Sequence, residues 1–117
     1  MSLLLATALL AAAPLSENQA IDLVSKAMRE LRPRQSLACF AYQTEESSSR
    51  QFGIAVREVH NRRCGGDPAL MPVTERFRVG RSPARLRRWD VTDDSYLPCR
   101  LTATGRPSCP KFSYEKR

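Results

Sequence analysis

Between residues 16 and 31 the apolar positions recur at helical spacing. Ile21, Val24, Met28 and Leu31 form one stripe, widened by Ala20, Leu23 and Ala27, as in a helix with one face against a core. Ser16 stands at the N-cap position, and Gln19 three residues later completes a capping-box pattern. Glu17 and Asp22 come early while Lys26, Arg29 and Arg32 come late, the order that the helix dipole favours. Pro33 then stops the run, because its ring removes an N–H and clashes with the preceding turn. One helix, Ser16 to Leu31, is expected.

After Pro33 the period drops to two. Ser36 to Gln43 reads as a first strand, with Phe40 and Tyr42 on one face and Cys39 and Ala41 on the other. A polar turn over Glu45–Arg50 leads to a second strand, Gln51 to His60. There Phe52, Ile54 and Val56 face inward, and the same face continues into Glu58 and His60. Strands joined by so short a turn pair antiparallel. Asn61 to Pro72 is a loop: Gly65-Gly66 permits positive φ, and Pro68 restricts Asp67. Val73 to Val79 forms a third strand with Phe77 and Val79 opposed to Arg76 and Arg78. Gly80 to Pro83 turns the chain into a fourth, Arg85 to Val91, carrying Leu86 and Trp89, a lone tryptophan expected in the core. The fold class is α+β: one N-terminal helix packed on an antiparallel sheet of about four strands. Residues 14–92 form the helix-plus-sheet domain, and 93–117 a loop-rich tail of the same domain closed by a disulfide.

Ahead of the helix, Leu3 to Ala13 holds eleven apolar or small residues without a charge. The run is too short to cross a hydrocarbon core of about 30 Å but has the length of a signal-peptide core. Ala11 and Ala13 supply the small residues read by a signal peptidase. Residues 1–13 are expected to be a signal peptide and the mature protein periplasmic or secreted, with no transmembrane segment.

Cysteine usage agrees with export. Four cysteines, Cys39, Cys64, Cys99 and Cys109, are an even set in a small chain, which reads as two disulfides with three possible connectivities. The preferred pairing is Cys39–Cys64 and Cys99–Cys109, the second closing a segment that reverses at Thr104–Pro107. Zinc is the competing use. No CxxC occurs, and the single histidine, His60, has no second ligand pair at metal spacing, so no metal and no cofactor are expected.

Charge adds a direction. Lysine and arginine number 19 against 12 acids, a net +7, and sixteen of those cations are arginine. Guanidinium pairs bidentately with phosphate and carboxylate. Six arginines, Arg76, Arg78, Arg81, Arg85, Arg87 and Arg88, fall within thirteen residues. Alternation places Arg76 and Arg78 on one face, with Arg85 and Arg87 joining them across the hairpin. The alternative reading of this excess is an ordinary solvated surface shaped by codon usage.

Catalytic chemistry is sparse. His60, Cys64 and Asp67 lie close in sequence and bear the residue types of a nucleophilic set, but an oxidised Cys64 cannot attack, and Asp67 suits a turn-backbone bond. Glu45-Glu46 and Asp93-Asp94 sit in turns, where carboxylates solvate the chain. Gly65-Gly66 lacks the downstream residues of a phosphate loop. Glu58 beside His60 at a sheet end is a constellation able to hold a polar or cationic group, with His60 titrating in an exported environment; the favoured alternative is a frayed strand end with both side chains in water.

The segments SENQAIDLVSKAMREL, RQFGIAVREVH and ERFRVGRSPARLRRW resemble a PepSY-like unit across Ser16–Val91. The Cys-Gly-Gly-Asp-Pro loop is similar to that of a group of small exported bacterial proteins. The resemblance implies a helix on a small sheet, and inhibition or chaperoning of exported hydrolases without catalytic residues. Two functions are therefore expected to compete. One is a non-enzymatic protein that binds an exported hydrolase or toxin through the Asn61–Pro72 loop. The other is an Arg-rich module for anionic envelope polymers or lipid head groups, which export favours over nucleic acid. The binding residues expected are Arg76, Arg78, Arg85, Arg87, Asp67, Glu58 and His60.

Overall fold

Helix α1 (Glu17–Leu31) starts on a complete capping box. Ser16 Oγ accepts from the Gln19 N–H at 3.2 Å, and Gln19 Oε1 accepts from the Ser16 N–H at 2.9 Å. These bonds satisfy two donors that every helix start leaves open. The computed structural model describes residues 13–112 and Glu115, so residues 1–12 of the expected leader lie outside the described residues.

Five strands follow in a meander: β1 (Phe40–Ser47), β2 (Gln51–Glu58), β3 (Val73–Arg81), β4 (Ala84–Asp90) and β5 (Ser95–Pro98). Each pairs antiparallel with its predecessor, in spatial order β1-β2-β3-β4-β5. Ala20, Val24, Ala27, Met28 and Leu31 of α1 bury against Phe40 of β1, Phe52, Ile54 and Val56 of β2, Phe77 and Val79 of β3, and Leu86 of β4. The helix thus covers one face of the sheet. Among the described residues no helix is long and apolar enough to cross a membrane.

The tail forms a two-stranded hairpin, β6 (Arg100–Leu101) with β7 (Pro107–Ser108), which lies against α1. Both preferred disulfides are present, Cys39–Cys64 and Cys99–Cys109, and no described cysteine is free. The second staples the tail hairpin beside the sheet edge.

Several boundaries differ from the sequence reading. Leu37–Cys39 is a single 3-10 turn, so β1 starts later and runs through Glu45 and Glu46, which were expected in a turn. An irregularity between Thr44 and Glu46 accommodates this shift. Strand β2 stops at Glu58, leaving His60 outside it. A fifth strand, Ser95–Pro98, arises in the segment assigned to the tail, because the edge of β4 offers it a ladder.

The largest departure is Arg88. Alternation puts it on the inner face with Leu86, where only 1% of its surface is exposed. Its Nε donates to Glu75 Oε2 at 3.1 Å and its Nη2 to Glu75 Oε1. The guanidinium also donates to Glu115 at 2.7 and 2.9 Å and to the Pro110 carbonyl at 2.8 Å, and lies 4.2 Å from the Phe112 ring centre. Burial works against the charge, but the bonds to Glu75 and Glu115 outweigh it and hold Arg88 protonated. Arg32, at the end of α1, reaches the same cluster through Thr74 and Glu75. Arg88 is therefore a core residue and no part of a cationic surface.

Candidate functional site: an arginine-lined sheet face and a pinned loop

The face of the sheet away from α1 carries Arg76 and Arg78 of β3 and Arg85 and Arg87 of β4. Residues on this face alternate with the buried set, since side chains along a strand point to opposite sides. The register places Arg78 directly opposite Arg87, and Arg85 opposite Gly80. A Cβ on Gly80 would come within 3.3 Å of the Arg85 Cβ, so glycine makes room for that arginine. Like charges facing each other across strands disfavour folding.

What these cations touch divides them. Arg76 donates to Glu45 Oε1 at 3.0 Å and lies 5.2 Å from the Trp89 ring centre. Arg78 stacks 4.1 Å from the Tyr96 ring centre. Trp89, expected in the core, instead sits half-buried on this outer face, its indole N–H donating to Asp94 at 3.0 Å. Arg81 is occupied structurally, bonding the Leu15 and Ser48 carbonyls at 2.9 Å each and covering Phe52. Among the described residues no carboxylate lies in ion-pair range of Arg78, Arg85 or Arg87.

A cleft of ≈ 510 Å³ lies at the β3–β4 turn. Arg50, Arg78, Arg81, Arg85 and Arg87 line it, and no acid does. Two aromatic rings hold Arg78 and Arg81 in place, which lowers the ordering cost of binding an anion. Of the six clustered arginines, Arg78, Arg81, Arg85 and Arg87 have no carboxylate in ion-pair range among the described residues, Arg81 being held by two backbone carbonyls, and Arg50 joins them from a turn that the sequence pattern did not connect to the hairpin.

The second feature lies at the opposite end of β2 and β3. The Asn61–Pro72 loop is tied down by the Cys39–Cys64 disulfide. His60 Nε2 meets Glu58 Oε2 at 3.0 Å, and His60 Nδ1 meets the Asp67 carbonyl at 3.0 Å. The hydrogen bond to Glu58 foremost, then that to Asp67, raises the His60 pKa above its ordinary value. The Asp67 carboxylate accepts from the Ala69 N–H at 3.0 Å and so serves its own turn. Arg34 and Arg63 share with Glu58 and His60 a shallow cleft of ≈ 490 Å³.

The structure therefore brings Glu58, His60 and Asp67 together at the loop and Arg78, Arg85 and Arg87 together at the other end, as two separate sites. Cys64 is disulfide-bonded and has no thiol with which to attack. Among the described residues no group of histidine, cysteine and acid side chains could hold a metal ion. Compared with protein-family models, curated proteins and solved structures, the chain matches none.

Proposed function

We propose that this chain is a non-catalytic, exported binding protein whose outer sheet face docks on an anionic polymer bearing phosphate or carboxylate groups. The observation that carries the reading is the Arg78–Arg87 cross-strand pair beside Arg50 and Arg85, in a cleft without a carboxylate. Two arginines directly opposite each other across the strands repel and disfavour folding, whereas an anion shared by them is bound by two forks at once. The disulfides support an oxidising compartment, in which envelope polymers and lipid head groups are the available polyanions.

The test replaces Arg76, Arg78, Arg85 and Arg87 together by Gln and measures binding of a fluorescent polyphosphate over a salt series. The native chain binds with an affinity that falls steeply with ionic strength, as contacts to charged groups require, and the variant folds but loses most of that binding. Equal binding by the two proteins, or none by the native chain at low salt, rejects the reading.

A second reading has one observation in its favour. Leu70 and Met71 at the loop tip are 60% and 43% exposed, on a loop held by a disulfide and by His60. A pinned loop with apolar residues at its tip suits insertion into the cleft of an exported hydrolase or toxin, which is the role that the PepSY-like resemblance implies. Changing Leu70 and Met71 to Ser would then abolish capture of the hydrolase while leaving polyphosphate binding intact.

A further inference from the structure

We propose that His60 is a pH-operated latch: its imidazolium ties the Gly65–Leu70 tip to the end of β2, and loss of the ring proton releases the tip. The site lies away from the arginine cleft and does not depend on its role.

Both ring nitrogens face acceptors. Nδ1 lies 3.0 Å from the Asp67 carbonyl and Nε2 lies 3.0 Å from the Glu58 carboxylate. Neither oxygen carries a proton to give when Glu58 is ionised, so both bonds require N–H groups on the ring. Only the imidazolium has two. The neutral ring keeps one N–H, and the bond to the Glu58 carboxylate, being assisted by charge, holds it. Nδ1 then presents a lone pair to the Asp67 carbonyl at a distance fit only for a hydrogen bond, and the contact turns from attractive to repulsive.

That contact matters because of what else holds the tip. At its start the chain is fixed by Cys64, bridged to Cys39. At its end Arg57 donates to the Met71 carbonyl at 2.9 Å, and the Glu58 N–H to the Pro72 carbonyl at 3.0 Å. Between these anchors the Gly65 N–H donates to the Asn61 carbonyl at 2.8 Å, and beyond Gly65 the other described bonds are internal: Leu70 N–H and Ala69 N–H both return to Asp67. Gly66, at φ +80°, lies flat on the imidazole, where a Cβ would come within 2.6 Å of the ring. His60 is thus both floor and clasp of the tip.

Four charged groups set the latch. Glu58 and Asp67 favour the imidazolium, while Arg34 and Arg63, lining the same cleft, are permanent cations that do not. The ring's pKa lies above its ordinary 6.5. The folded-state proton therefore stabilises the closed tip fully below that ordinary value, and the effect is lost as pH rises through the higher folded value.

The experiment follows the ring nitrogens of His60 and the amide exchange of Gly65–Leu70 by NMR on the intact oxidised protein, between about pH 5 and 8. Both ring nitrogens are protonated at the acid end. Corrected for its intrinsic base catalysis, exchange at the tip rises several-fold as the ring titrates. His60→Gln removes that step. Glu58→Gln, which retains an acceptor and deletes the charge, moves ring titration and tip release to lower pH together. Flat exchange while the ring titrates, a step that persists in His60→Gln, or a step that stays in place in Glu58→Gln overturns the latch.

Discussion

The Arg88 guanidinium is gripped by both carboxylate oxygens of Glu75 beneath the end of α1. Glu75 precedes by two the strand residue Phe77 that pairs with Arg88, so the contact runs diagonally between β3 and β4 on the inner face. It joins the sheet to the tail through Glu115 and to the helix through Arg32.

Removing Glu75 takes two hydrogen bonds and one of two carboxylates from the buried Arg88, leaving only Glu115 and the Pro110 carbonyl to match its charge. Glu75→Ala is expected to destabilise the protein by about 3–5 kcal/mol, read as a lower urea midpoint. The double variant Glu75→Leu, Arg88→Met removes both charges and recovers most of the loss. A double variant no more stable than Glu75→Ala would show that the pair is needed as an ion pair.

Acid should loosen the tail. Burial raises the Glu115 carboxyl, but its bond to Arg88 prevails and the net shift is downward from the usual glutamate range. A carboxylate lowered in the fold adds stability above its unfolded pKa, and that contribution disappears as pH falls through the folded value. Thermal midpoints are expected to drop on acidification below about pH 4.5, the unfolded glutamate range, and by less in Glu115→Gln.

The arginine face separates binding from stability. Arg87→Gln relieves the repulsion with Arg78 and is expected to stabilise the fold by about 0.2–1 kcal/mol while weakening polyphosphate binding. A loss of stability instead would mean that Arg87 supports the sheet.

Capping can be checked by itself. Ser16→Ala removes the acceptor for the Gln19 N–H and is expected to cost about 1 kcal/mol, seen as a lower melting temperature with unchanged polyphosphate affinity.

Gly66 tests how the loop is seated. Gly66→Ala sets a methyl into the His60 ring and forces a left-handed φ on a residue with a Cβ, at a cost of about 1–3 kcal/mol. Gly65→Ala shares the positive φ but meets nothing within 4 Å, so it costs less. Equal losses would place the effect in the backbone alone.

Local pattern alone determined the helix with its capping box, the inward set Phe52, Ile54, Val56, Phe77, Val79 and Leu86, and the outward arginines. These follow from period and cap chemistry, which act over a few residues. The sequence left three disulfide pairings open, and the preferred one is the one the geometry has. Tertiary structure decided the rest. Arg88 reads as one more cation in a run, and only the sheet register and the returning tail supply Glu75 and Glu115 around it. Trp89 reads as core, yet its strand parity puts it outside beside Arg76. The fifth strand forms because an open β4 edge recruits weakly patterned residues, and Arg50 reaches the cleft because β2 and β3 run antiparallel. For Arg88 and Arg50 the deciding partners lie many residues away, where a charge or a strand is matched through space and leaves no mark on the local sequence.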